Sequence, residues 1–486
     1  MNNKFSKYWI VFWFLCISTS IKSQNDLQAE YESFKKQSLQ EYNDYRNRIN
    51  KEYGDFVRKT WEEYKGYKPT PTPNDTPIPP RPYNDKDKVD PVIVSPEPLL
   101  IPLPQPQPKP IMPIDETPIP DGSYLSFNFY GIHGKARFPK NLSLNVKDVS
   151  PNSIAEGWET LSVNEIDNTI LDCLEARRKY NLCDWAYLLY LDKVGKTYSN
   201  NPNEATLLTA FLYVQSGYQM RLALDGNQLK ILFGSEHHIY DLPYYVVDRV
   251  MFYPFGNVSN SIKICNAEFE GETPMSLFIN SEQLLGSSIS DKRNLVSERY
   301  PEIAISSQVP TGLISFYNDY PSSQIGDNPL TRWAMYAQTP LASKTKNSIY
   351  PKLKEKIKGC SEFDAANRLL NWVQTAFVYE YDDKIWGHDR AFFAEETLYY
   401  PYCDCEDRSI LFSRLIRDLL DLDVALIYYP GHLATAVAFK ENVEGDVMMI
   451  NGRKFAVCDP TYIGAPVGVQ MPDLDYSQTQ AIVLKR

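Results

Sequence analysis

A chain of 486 residues exceeds what one ordinary hydrophobic core supports, so two or more domains are expected. Hydrophobic residues at 43% and aromatic residues at 13%, with 34 Tyr, suffice for globular domains. The net charge of −11 excludes a nucleic-acid binder, which needs a basic stripe to neutralise phosphates, and otherwise reads as solubility.

Residues 1–23 have the form of a secretory signal peptide. Lys4 and Lys7 precede the apolar run Tyr8–Cys16, and the small residues of STSIKS follow, with cleavage expected after Ser20 or Ser23. That run is too short for a comfortable bilayer span, and no later one is long enough. A secreted or periplasmic protein without a transmembrane span after cleavage is therefore expected, and Leu15 before Cys16 argues against a lipoprotein anchor. Removing Cys16 leaves Cys173, Cys183, Cys265, Cys360, Cys403, Cys405 and Cys458, an odd set in which at least one thiol stays free or pairs between chains. With no CxxC and no nearby histidine pair, neither a metal nor a cofactor is expected.

Residues 24–67 carry a repeat. Tyr31, Phe34, Leu39, Tyr42 and Tyr45 recur as Tyr53, Phe56, Trp61, Tyr64 and Tyr67, a shift of two eleven-residue periods that predicts a long amphipathic helix with an aromatic stripe. Such a stripe needs a partner surface, either an envelope or self-association partner or the protein's own body. Residues 68–120 hold about half of the 35 prolines and predict a semi-extended linker, because proline fixes φ and removes a backbone donor. Residues 121–300 predict a mixed α/β domain, with strands at SYLSFNFYG, LSLNV, QMRLAL, KILFG and YYVV and helices at Ile166–Asp192 and Asn203–Ser216. His237 and His238 read as an ordinary loop pair, since neighbours on a strand point to opposite faces. Residues 300–350 look mixed and loop-rich, and 301–486 form the last domain, with a helix at Glu362–Phe377.

In that domain Glu406–Leu420 predicts a helix, and Val424–Tyr429, Leu433–Phe439 and Lys454–Asp459 predict strands. Cys405 thus starts a buried helix, where the positive N-terminal end favours a thiolate and offers backbone N–H donors. His432 opens a strand where a base can face that terminus, and Asp459 ends a neighbouring strand where a carboxylate can orient the imidazole. Asp404, Glu406 and Asp407 oppose the effect by raising the thiol pKa. Cys403 offers a second thiol two residues earlier, and Cys458 abuts Asp459.

The blocks CEDRSILFSRLIRDLL, PGHLATAV and FAVCDPTY, in this order, resemble the three signature blocks of the transglutaminase-like superfamily, with Ser409 as the small residue four after the nucleophile. The resemblance covers roughly the last third of the chain. It implies an α+β fold overall, with a C-terminal papain-like domain in which a helix packs on an antiparallel sheet. It implies Cys405 as nucleophile, His432 as general base and acid, Asp459 as orienting residue, and Cys405 rather than Cys403 as the thiol in register. It also implies a thioester route by which a protein or peptide amide is transferred to an amine or hydrolysed. The backbone N–H of Cys405 would contribute to the oxyanion hole, with the Trp386 indole as candidate second donor; His388 beside it is read as a surface residue. Asn201–Leu224 echoes the Cys405 block without a Cys–His–Asp set and suggests a degenerate copy, with Asn201 at the place of Cys405. The rival expectation is a catalytically silent module for binding or assembly at the cell envelope.

Overall fold

A computed structural model describes residues 6–73, 77–85, 90–101, 104, 106–110, 114, 123–163 and 166–484. Residues 1–5 and the side chains of 6–27, 39 and 42 lie outside the described set, so the expected signal segment is described only as backbone from Ser6. Among the described residues no helix is long and apolar enough to cross a membrane. The chain is a mixed α/β protein in which helices cover two mainly antiparallel sheets.

The first helix runs Ser6–Lys59, shorter at its end than the repeat predicts, because Trp61–Lys65 is a strand paired antiparallel to Ser261–Cys265. Trp61 and Tyr64 therefore leave the helical stripe for a sheet edge. The stripe itself is divided. Tyr53 and Val57 are buried against the helix Pro151–Val163, with Tyr53 packed on Trp158 and Phe269, whereas Tyr31, Phe34 and Phe56 are exposed. The last turns of the helix thus fold back on the protein's own body, tied there by Arg58 to Glu159 at 2.6 Å.

The proline-rich stretch is not a free spacer. Its described residues run along the protein as a strap and add short parallel strands: Arg81–Pro82 to Tyr462–Ile463, Ile93–Val94 to Val447–Met448, and Pro98–Leu99 to Ala481–Ile482. Proline is tolerated at such sheet edges, where only one side of the strand must pair. At Lys109 the strap crosses so closely that a Cβ on Gly217 (φ +94°) would lie 2.0 Å from the Lys109 carbonyl oxygen.

The predicted Ile166–Asp192 helix is two helices, Asp167–Lys179 and Asp184–Tyr198, parted at Asn181, whose φ of +52° turns the chain. LSLNV is irregular, although Leu142, Leu144 and Val146 are buried. Their alternating apolar pattern buries one side without a partner strand. His237 and His238 sit on the short strand His237–Ile239 instead of a loop, and His237 Nε2 accepts the Leu277 N–H at 3.2 Å. Residues 300–350 hold three helices, at Thr311–Asn318, Leu330–Gln338 and the start of Ser343–Ile357, joined by loops and short strands. The hairpin Arg293–Val296/Ala304–Ser307 straddles residue 301, so a boundary placed there cuts a paired element. Trp372 also donates to the Leu295 carbonyl at 3.2 Å, and one apolar core runs continuously through both halves.

The two large sheets share a strand order. The helix Pro202–Gln215 is followed by strands Met220–Asp225, Gln228–Gly234, Tyr245–Val247, Val250–Pro254 and Ser261–Cys265. In space the third, fourth, second, first and fifth of these lie side by side, all antiparallel. The helix Cys405–Leu420 is followed by Asp423–Tyr429, His432–Ala438, Val447–Ile450, Arg453–Cys458 and Gln480–Val483 in the same spatial order and sense. In each unit the helix packs on the first hairpin, and another helix, Asp184–Tyr198 or Glu362–Thr375, packs on it in turn. Both faces of the second sheet are covered. Val424, Leu426, Leu433 and Val437 face the helical core, and Ala425, Ile427, Ala434 and Ala436 face a second apolar layer that includes Ile78 and Tyr83 of the strap. This explains the near-continuous apolar runs in the sequence.

Candidate active site

Cys405 is the first residue of its helix, with Asp404 at the N-cap position, and is 5% exposed. Burial of the helix is dictated by Ile410, Leu411, Leu415 and Ile416, which share one apolar face, and Ser409 docks it to the next hairpin by donating to the Leu433 carbonyl at 2.8 Å. Asp407 accepts N–H bonds from Asp404 at 3.2 Å and Phe392 at 2.8 Å, fixing the entry to the helix.

His432 follows a two-residue turn, Pro430–Gly431, and pairs with Tyr429 at the hairpin end. Gly431 has φ +74°, a left-handed conformation that glycine adopts without the Cβ penalty. Asp459 follows the strand Arg453–Cys458, and its Oδ2 lies 2.8 Å from His432 Nε2. Asp459 Oδ1 accepts from Thr461 N at 2.8 Å and Thr461 Oγ1 at 3.0 Å. Burial alone would raise the Asp459 carboxyl, but the His432 ring and these hydrogen bonds outweigh it and hold the group below its ordinary range. The backbone around the carboxylate is clamped by Gln374, whose Nε2 donates to the carbonyls of Asp459, Tyr462 and Ala465 at 2.9, 2.8 and 3.1 Å. Buried Arg408 adds bonds to Gln374 O at 2.9 Å and Phe377 O at 2.8 Å.

Cys405 and His432 line one cavity of about 550 Å³, together with Pro77, Trp333, Tyr428 and the carboxylates Asp382, Asp383, Asp389, Asp404 and Glu406. His432 Nδ1 has no hydrogen-bond partner. Its other nitrogen is held by Asp459, which does not line the cavity, so Nδ1 is the nitrogen turned toward it. The thiol donates to Glu406 Oε2 at 3.1 Å. Burial first, then Glu406 and Asp404, push the Cys405 thiol well up, while the Leu433 N–H acts in the opposite direction. The resting cysteine is therefore a protonated thiol. Burial and the neighbouring carboxylates likewise raise Asp404 and Asp407, and push Asp382 up to about 8.

The other thiol of the pair is turned elsewhere. Cys403 lies on the strand Tyr402–Cys403, accepts from Arg408 Nε at 3.4 Å, and does not line the cavity. All seven described cysteines are free thiols. Trp386 is not brought to the cavity either. Its ring packs edge-on against Phe392 and Tyr400 beneath the Arg390 guanidinium at 4.3 Å, a stack that occupies its faces. His388 is exposed, with Nδ1 3.0 Å from the Trp386 carbonyl oxygen. The sequence reading missed Tyr379, whose buried hydroxyl is unpartnered. Burial and then the charge of Cys405 push its phenol up, which places the hydroxyl in the electrostatic neighbourhood of the thiol. It missed Asp382 and Asp389 as well, because only the folded loop carries them to the cavity.

Overlaying the two units by cap and register matches Asn201 to Asp404, so Pro202, not Asn201, stands where Cys405 is. The hairpin pairs Asp225–Gln228 and Tyr429–His432 correspond, which puts Gln228 at the place of His432. Phe255 N donates to Ile231 O as the register continues, matching Phe255 to Cys458 and Gly256 to Asp459. The Leu229 N–H, equivalent to that of Leu433, is taken by Asn203 Oδ1 at 2.8 Å. No protein-family model, no curated protein and no solved structure matches this chain.

Proposed function

We propose that the protein is a cysteine acyl-transferase or amide hydrolase of the transglutaminase-like kind, with a papain-like arrangement in its C-terminal unit. The observation that carries this is the His432–Asp459 pair at 2.8 Å with Nδ1 turned into the cavity that Cys405 lines. In the proposed cycle His432 Nδ1 takes the thiol proton and Sγ attacks the amide carbonyl carbon. The tetrahedral intermediate collapses with loss of the amine, which receives the proton from His432, leaving a thioester on Cys405. An amine or water, deprotonated by His432, then attacks the thioester and restores the thiol. Asp459 holds the ring orientation and stabilises the imidazolium. The Cys405 N–H at the helix terminus is one oxyanion donor; neither the Trp386 indole nor the Tyr379 hydroxyl lines the cavity, so no side chain is assigned as the second.

The first unit, with Pro202, Gln228 and Gly256 at the corresponding places, is read as a silent copy that serves as scaffold. Export by the N-terminal segment, and docking of an envelope or self-association partner on the exposed aromatic residues Tyr31 and Phe34, belong to the same proposal. A catalytically silent assembly module is the second reading, favoured by the carboxylates that keep the thiol protonated. Incubation with a labelled amine and a library of glutamine-containing peptides separates the cases. Incorporation marks a transferase, and ammonia or amine release without incorporation marks a hydrolase. Neither product, with no acyl-enzyme detectable by mass spectrometry, leaves the silent module.

A further inference from the structure

The cavity wall beside Cys405 is crowded with donors. One oxygen of Asp404, the sulfur of Cys405 and one oxygen of Glu406 all lie within 4.8 Å of one another, and all three residues are buried. Asp382, Asp389 and Glu406 form a second such group, so Glu406 joins the two. Arg332 answers Asp389 at 2.5 Å. Lys384, which also lines the cavity, is engaged with Glu380 at 2.8 Å.

One observation separate from this clustering points to a ligand. Asp404, 2% exposed and lining the cavity, leaves Oδ1 unpartnered. A buried polar atom without a partner carries its full desolvation penalty unless something in the cavity satisfies it. The grouped donors are then one sulfur and carboxylate oxygens. Thiolate favours a borderline-soft ion, whereas Ca²⁺ and Mg²⁺ take oxygen ligands alone.

We propose that Cys405, Glu406 and Asp404 form a binding site for one divalent cation of the zinc class. Ligation exchanges the thiol proton for the metal–sulfur bond and releases that proton to solvent, with no change of oxidation state. A bound ion occupies the sulfur lone pair that the acyl-transfer cycle needs. The bound state is therefore a masked nucleophile, a regulatory consequence that rests on the catalytic reading above, although the binding itself does not.

The test uses the full chain, stripped with a chelator and titrated with Zn²⁺ by calorimetry and with Co²⁺ and Cd²⁺ by absorption. One ion per chain and a thiolate-to-metal charge-transfer band are expected. The band should vanish in Cys405→Ser and persist in Cys403→Ser and Cys458→Ser. Glu406→Gln should weaken binding by more than the roughly 10–100-fold that loss of an outer-shell partner costs. Melting temperatures of the metal-free variants show that each is folded, and Glu406→Asp serves where Glu406→Gln is not. Absence of binding overturns the proposal. So does binding without a band that survives Cys405→Ser and is lost in Asp389→Asn, which assigns the ion to oxygens alone. A band that depends on Cys403 or Cys458 overturns it too. Alkylation of Cys405 in the metal-free protein tests the catalytic reading separately. A metal site with an unreactive metal-free thiol sinks the enzyme and keeps the site, and a reactive thiol without a band does the reverse.

Discussion

The helix-and-sheet unit at 202–265 and the one at 405–483 have the same strand order and sense, yet opposite electrostatic character where the helix meets the hairpin. In the first, Pro202 begins the helix, and Asn203 ties the helix start to the hairpin by accepting the Leu229 N–H and donating to the Asn227 carbonyl. Every polar group named there is neutral and paired. In the second, a thiol, an imidazole and several carboxylates converge on a cavity, and Asp404 Oδ1 and His432 Nδ1 lack partners. Shared topology therefore sets where a site can sit, and the side chains at three positions decide whether there is one. Unpartnered buried polar atoms occur in both units, as at Tyr213 and Arg221 in the first, but only in the second do two of them belong to residues that line the cavity beside Cys405.

The sharpest contrast is expected from the carboxylate. Asp459→Asn should lower turnover on the order of 10³–10⁴-fold with little change in KM, because the ring loses its orienting acceptor. Gln228→Ala, at the matching place of His432 in the first unit, should leave steady-state turnover unchanged. Next is the buried guanidinium. Arg408→Met strips the carbonyls of Gln374 and Phe377 of their donor and should cost about 2–6 kcal/mol in a urea unfolding titration, at roughly 1–3 kcal/mol for each orphaned group.

A pH-dependent difference follows from Glu395, in the helix Ala394–Tyr399 that leads into the site. Burial raises its carboxyl to about 7, despite the Ala342 N–H that it accepts at 2.6 Å. A carboxyl raised on folding is protonated in the native state and ionises earlier in the unfolded chain. Its contribution is full below the unfolded value near 4.5 and is lost as pH rises through about 7. Melting temperature should therefore fall more steeply between these limits in the parent than in Glu395→Gln. An identical slope in both would remove the group from the account. The smallest effect concerns the hairpin turns. Gly431→Ala and Gly226→Ala both place a Cβ at positive φ and should each cost about 1 kcal/mol. Only Gly431→Ala should also lower turnover, because it shifts His432; equal turnover in both would break the distinction between the turns.

Much of the second unit is legible in the sequence, for local reasons. Ile410, Leu411, Leu415 and Ile416 recur at helical spacing, Gly431 marks a tight turn, and VALIYY and LATAVAF carry strand propensity, so Cys405, His432 and Asp459 fall at element ends that the chain itself specifies. What non-local pairing decides is not legible. Trp61 and Tyr64 continue a helical repeat, but the edge of Ser261–Cys265 captures them as a strand. The prolines announce a chain without regular hydrogen bonds, yet the residues between them supply enough N–H and C=O groups to pair at sheet edges, as when Ile78 N donates to Gly431 O at 2.8 Å. Asp382 and Asp389 reach Glu406 only because the loop after Tyr379 folds over the helix start, and Trp386 is withdrawn by Arg390, Phe392 and Tyr400. Pro202 rather than Asn201 opposes Cys405, because cap position and strand register, not residue similarity, fix the overlay.

The central claim, that Cys405 is a nucleophile activated by His432, is tested most directly by peptide mapping after a brief pulse of a thiol-reactive probe near neutral pH in the presence of a chelator. The account predicts modification of Cys405 through the cavity that it lines, lost in His432→Ala, with half-buried Cys360 labelled alike in both proteins and Cys173, Cys265, Cys403 and Cys458 protected by burial. Slow, equal modification of all the cysteines, unchanged in His432→Ala, would contradict it.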